Sequence, residues 1–133
     1  MNNDKPKLSI SISREHQENL VYIKDIFKDF NAEINANLIR CSANELPMAI
    51  IIFIGGSIAS GLTWDLIKLA IKKTYEKFPK SRITVRDKDS IMYTIGVDLT
   101  VNVRIPPGKE KEFEHIKNFD DLGKYINSKN KKK

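Results

Sequence analysis

One cysteine in 133 residues, Cys41, excludes an intramolecular disulfide framework. Nothing beside it in sequence would stabilise a thiolate, so a buried inert cysteine is expected, not a nucleophile. Histidine is almost as scarce. His16 and His115 each sit among charged residues at an expected helix surface, and the segment Glu112-Phe-Glu-His115 lacks a zinc-ligand spacing. No metal, cofactor or catalytic residue is therefore expected. Aromatic residues make up 8% of the chain and do not interleave with the basic ones, which leaves nucleic acid without an expected stacking platform. No internal repeat or linker divides the sequence, and the polar start MNNDKPKLSIS does not read as a cleavable leader. The expected compartment is a reducing cytoplasm.

What the chain does have is concentrated apolarity. Leu46 to Trp64, LPMAIIIFIGGSIASGLTW, is a run of nineteen residues without a charge. The leading reading is one long buried helix from Pro47, which suits a first helical position, to Phe78, which precedes Pro79. Its second half places Leu62, Leu66, Leu69, Ala70, Thr74 and Phe78 near one face, with Asp65, Lys68, Lys72 and Glu76 opposite. Gly55, Gly56, Ala59 and Ser60 would then form a flat stripe that a neighbour can approach closely, with Trp64 at its end. A second reading is a buried strand from Ala49 to Ile54, a glycine turn, and a helix from about Ser57 or Leu62. GGSIASG would then sit where phosphate loops sit, although it lacks both the Lys-Ser/Thr ending and the dinucleotide spacing. A third reading is a membrane span, since the run is long enough and lysines follow it.

The flanks alternate more simply. Leu8 to Ile12 reads as a strand, Arg14 to about Asp29 as a helix burying Leu20, Ile23, Phe27 and Phe30, and Ile34 to Leu38 as a second, parallel strand. Arg82 to Arg86 is a third strand and Asp87 to Ser90 a turn. Apolar residues then hold every odd position from Ile91 to Ile105, a fifteen-residue fourth strand with Gly96 as a bend point. Pairing within that hairpin is expected to oppose Val85 and Ile91. Pro106-Pro107-Gly108 stops the strand, and Lys109 to about Asn127 is helical, interrupted at Asn118 or Gly123. The net charge of +6 includes the lysines of 129–133, read as a solvated tail; without them it is about +2.

PMAIIIFIGGSIASGLTWDLIKLAIKKTYEKF, followed by a hairpin and a PPG-led helix, resembles small uncharacterised α/β proteins associated with prokaryotic conflict systems. The resemblance covers the last two thirds of the chain. It implies an adaptor or effector-associated interaction module and carries over no catalytic residue.

The expected fold is a single α+β domain over 1–128, ordered β-α-β-α-β-β-α. A four-stranded mixed sheet packs on a long glycine-containing apolar helix. The expected function is non-catalytic: a module that self-associates, most simply as a homodimer, or docks a protein partner. Gly55, Gly56, Ala59, Ser60, Trp64, Val101 and Val103 are its interaction residues. Val101 and Val103 enter because so long a fourth strand would leave an unpaired edge. The alternatives are a membrane-associated protein inserting 46–64, and a nucleotide or anion binder at 55–61.

Overall fold

A computed structural model describes residues 7–39, 47–54 and 61–131. It contains one mixed sheet of six strands, in the order β2-β1-β3-β4-β5-β6. These are β1 (Lys7–Ser13), β2 (Asn31–Leu38), β3 (Ala49–Phe53), β4 (Arg82–Arg86), β5 (Met92–Ile95) and β6 (Val101–Val103). The fold is α+β, as the sequence leads one to expect, but with six strands instead of four.

Two β-α-β units generate the sheet. In the first, β1 leads through a 3-10 stretch (Arg14–Asn19) and α1 (Leu20–Ile26) to the parallel β2. In the second, β3 leads to α2 (Gly61–Lys77) and the parallel β4. β1 and β3 pair antiparallel where the two units meet, so the units extend in opposite directions from that junction. β5 and β6 extend the β4 side as antiparallel hairpins. The chain closes with α3 (Glu110–Phe113) and α4 (Phe119–Lys131).

The central apolar run is not one helix, and this overturns both the buried-helix and the membrane-span readings. Ala49–Phe53 is a strand hydrogen-bonded on both sides, to β1 and to β4. Isoleucine is stiff at its first side-chain torsion and fits a pleated surface, and the sheet centre hides both backbone edges. Ile50, Ile52 and Ile54 are buried. No helix among the described residues is long and apolar enough to cross a membrane. Gly55, Gly56, Ala59 and Ser60, like Cys41, lie outside the described residues.

The inward face of α2 also differs from expectation. Trp64, Ile67, Ala70, Ile71, Thr74 and Tyr75 are buried, whereas Leu69 is 49% exposed. The lysines at 68, 72 and 73 mark the outer side less sharply than the bulky residues at 64, 67, 71 and 75 mark the inner one.

The fifteen-residue strand is two short strands joined by a turn. Leu99 takes a positive φ of 67°, and the Asp98 carboxylate accepts hydrogen bonds from the Thr100 hydroxyl and N–H at 2.8 and 3.3 Å. Those bonds reverse the chain between Ile95 and Val101, where Gly96 also lacks room for a Cβ, which would lie 2.7 Å from Thr100 Oγ1. The odd-position alternation survives because the turn holds an odd number of residues. Val97 is consequently an exposed turn residue, not a core residue. In the preceding hairpin Val85 faces Tyr93, two residues beyond the expected Ile91 and on the same face.

This division removes the long unpaired edge on which association through Val101 and Val103 was argued. β6 pairs with β5 on one side. On the other, Val101 donates to the Lys117 carbonyl at 2.9 Å and Phe119 donates to the Leu99 carbonyl at 2.9 Å. The link between α3 and α4 thus covers the outer edge where β6 begins.

The described helices lie on one face of the sheet. Ile10, Ile12, Ile50, Ile52, Ile83, Val85, Tyr93 and Ile95 point into it and are each 0–1% exposed. Ile23 and Phe27 of the α1 region, Ile67 and Ile71 of α2, and Leu122 and Ile126 of α4 meet them. Trp64 anchors α2 to α4: its ring stacks on Phe119 at 4.5 Å, and its indole N–H donates to the Phe119 carbonyl at 3.1 Å. Gly123 makes the approach possible, since a Cβ there would stand 2.3 Å from Trp64 Nε1.

Candidate functional site: the open face of the sheet

Strand parity decides what lies on the uncovered face. Register sets two continuous cross-strand rows there. The first runs Glu33, Ser9, Phe53, Arg86, Met92. The second runs Asn35, Ser11, Ile51, Thr84, Thr94, Asn102. Ala49 and Arg82 begin a third, and Arg104, whose N–H donates to the Met92 carbonyl, prolongs the first. No described helix covers these side chains. Hydroxyls, amides and arginines replace the aliphatic residues of the opposite face.

Phe53 is the centre of this surface. A phenylalanine in the middle strand of a sheet usually hides its ring, yet Phe53 is 40% exposed. The Arg86 guanidinium carbon lies 6.0 Å from its ring centroid, a cation beside an aromatic face. Arg86 is itself steadied by donating to the Ser90 hydroxyl at 3.1 Å. Beside Phe53, over β2, β1 and β3, the face dips into a shallow groove of about 390 Å3 lined by Ser9, Ser11, Asn35, Asn37 and Ile51. The 70%-exposed Ile39 stands at its rim.

The hairpin beneath Arg86 is closed around a buried carboxylate. The Asp87 carboxylate, 2% exposed, accepts from the N–H groups of Asp89 and Ile91 and from the Tyr93 hydroxyl at 2.8 Å. Burial, and then the hydrogen bond and charge of Asp87, raise the Tyr93 phenol far above its ordinary pKa. Tyr75, raised mainly by burial, donates to the Ile95 carbonyl and accepts from the Ile83 N–H at 3.3 Å. Both phenols tie the sheet together from the covered side.

No catalytic constellation appears among the described residues. Ser13 Oγ lies 2.9 Å from His16 Nδ1, but Ser13 is completely buried and also accepts the Ala49 N–H at 3.0 Å. That pair fastens the end of β1 to the start of β3, out of reach of a substrate. No group of three or more His, Cys, Asp or Glu among the described residues is placed to hold a metal ion. A second groove, between α1 and α2, combines Asp25 and Glu76 with Lys73 and Lys77, and Lys77 Nζ sits 4.3 Å from the centroid of Tyr22. With two carboxylates and two ammonium groups it carries no net charge to select a ligand.

Of the interaction residues expected from sequence, Trp64 and Val101 are buried within the chain's own core and Val103 is partly buried. The other four lie outside the described residues. Sequence reasoning missed Phe53, Arg82, Arg86 and Arg104. No alternation signals Phe53, because both parities of Ala49–Ile54 are apolar; the isoleucine-rich composition signals only a strand. No known protein family, curated protein or solved structure matches this chain.

Proposed function

We propose that the protein is a non-catalytic docking module whose working surface is the open face of the sheet. One observation carries this reading: a 40%-exposed phenylalanine in the middle of the sheet, flanked by Ser9 and Arg86 on the adjacent strands and under no described helix. Folding alone gives no reason to leave an aromatic ring there, whereas exposed aromatics and arginines dominate binding surfaces. An adaptor or effector-associated role, as implied by the resemblance to conflict-system proteins, is consistent with a surface that holds but does not transform. The test is a photo-reactive residue at position 84, on the open face, against the same residue at position 72, on the outside of α2. In cells that make the protein, adducts are expected from position 84 and not from position 72. Equal capture at both positions, or at neither, would remove the reading.

A second reading, self-association, is favoured by β2. It forms one border of the sheet over eight residues, Asn31–Leu38, with one charge and no proline. Edges this poorly guarded pair with other strands. A two-fold dimer joined along β2 would make the sheet continuous. Light scattering at micromolar concentration is expected to give twice the monomer mass, and Asn35→Glu with Asn37→Glu to restore the monomer. A monomeric wild-type mass ends this second reading.

A further inference from the structure

We propose that the open face binds single-stranded nucleic acid, with Phe53 as the base-stacking surface and Arg82, Arg86 and Arg104 as phosphate contacts. The inference rests on the reading of this face as the docking surface and names its occupant.

Charge chooses the class of ligand. Among the described strand residues, Glu33 on the border strand β2 is the only carboxylate that parity places on this face. Arg82, Arg86 and Arg104 are exposed on the other half, and no ion pair among the described residues neutralises them. Arg82 and Arg86 stand four residues apart on one strand, roughly 13 Å, and Arg86 and Arg104 lie two strands apart, roughly 10 Å. Those intervals suit a chain of separated phosphates better than one compact anion. The apolar side chains here, Ile51, Phe53 and Met92 with Leu38 and Ile39 at the groove, are interrupted by Ser9, Ser11, Thr84 and Arg86.

The geometry supplies the other two needs of single-strand recognition. Stacking on an exposed aromatic is open to any base, and the adjoining guanidinium of Arg86 can hold the backbone of the nucleotide stacked there. Asn35 and Asn37 line the adjoining groove with amides that both donate and accept, which is what the edge of a splayed base requires. A duplex cannot present an unstacked base to a ring in the middle of a sheet, so the face selects single strands.

Fluorescence anisotropy of the full chain with labelled oligothymidine and oligouridine tests this, and the two oligonucleotides separate DNA from RNA as the source. Binding of at least one is expected, weakening steeply with salt. Arg82→Glu with Arg86→Glu should weaken it by more than about ten-fold, and Phe53→Ala by about five-fold or more, while Phe53→Tyr stays within about two-fold. Lys72→Glu with Lys73→Glu, on the helical side, should also stay within about two-fold. Urea unfolding of each variant confirms that the fold is retained. Absence of binding by the wild type, equal loss from the lysine and arginine pairs, or an unaffected Phe53→Ala would each overturn the proposal. Adducts from position 84 that resist nuclease and yield to protease would also overturn it while leaving the docking reading intact. Absence of selective adducts at position 84 would remove the docking reading itself.

Discussion

The two faces of one sheet obey different rules. On the covered side Ile10, Ile12, Ile50, Ile52, Ile83 and Val85 are each 0–1% exposed and belong to one core cluster with residues of α1, α2, α3 and α4. On the open side Ser9, Phe53, Arg86 and Met92 occupy consecutive strands without a described helix above them. The covered face is what folding requires, because it removes aliphatic surface from water. The open face is chemically varied where folding asks only for polarity, and variety of that kind is where function is to be sought. The two faces alternate residue by residue along β3, so substitutions one position apart should differ in kind.

The largest difference is expected at neighbours in β3. Ile52→Ala should cost about 2–5 kcal/mol, since Ile52 is fully buried beneath the helices and its removal leaves a cavity. Urea denaturation measures it; a loss under 1 kcal/mol would show that the core on this side is looser than the structure implies. Gly123→Leu comes next. Its side chain would start 2.3 Å from an indole held by stacking and by a hydrogen bond, so the indole cannot yield cheaply. A destabilisation of about 1–3 kcal/mol is expected from overpacking, with a change in tryptophan fluorescence as Trp64 shifts.

Alkaline pH sharpens the comparison from the covered side. Tyr75 and Tyr93 have raised phenol pKa values in the folded state. Below about pH 10 both states keep these protons and stability does not depend on them. Above it the unfolded chain ionises first, so stability falls with rising pH, by up to about 1.4 kcal/mol per pH unit for each phenol. Tyr93→Phe should make this slope shallower, and the phenolate absorbance of both residues should appear only with unfolding. Phe53→Ser, on the open side, is expected to have the smallest effect on stability, under about 1 kcal/mol. A loss as great as that of Ile52→Ala would mean that the ring is structural, and the distinction between the faces would fail.

Local pattern made much of the fold legible. β1, the helical region after it, the parallel β2, β4 and the turn at Asp87 follow from alternation and from turn-forming residues. The breaks lie where local signals mislead. In Ala49–Ile54 both parities are apolar, so no alternation distinguishes strand from helix, and the glycines beyond it invite a helix-packing reading. From Ile91 to Ile105 every odd position is apolar, yet the pattern passes through a turn, because a turn with an odd number of residues preserves parity. The site was illegible for the same reason: Phe53 becomes an exposed ring only when β3 is known to be a strand with helices on one side.

The sequence by itself determined which residues would be buried along β1, β4 and β5, because period-two alternation is a property of the chain and holds in any sheet that shelters one face. It also determined the break at Pro106-Pro107-Gly108, where proline removes the ladder donor. Tertiary structure decided between the helix and strand readings of Ala49–Ile54, placing the strand between β1 and β4, and decided that β6 returns beside β5 and that the described helices share one face. Each of those outcomes depends on partners distant in the chain. Ser9 meets Phe53 and Phe53 meets Arg86 only after the sheet has formed, and hydrogen bonding across it settles what local propensity leaves open.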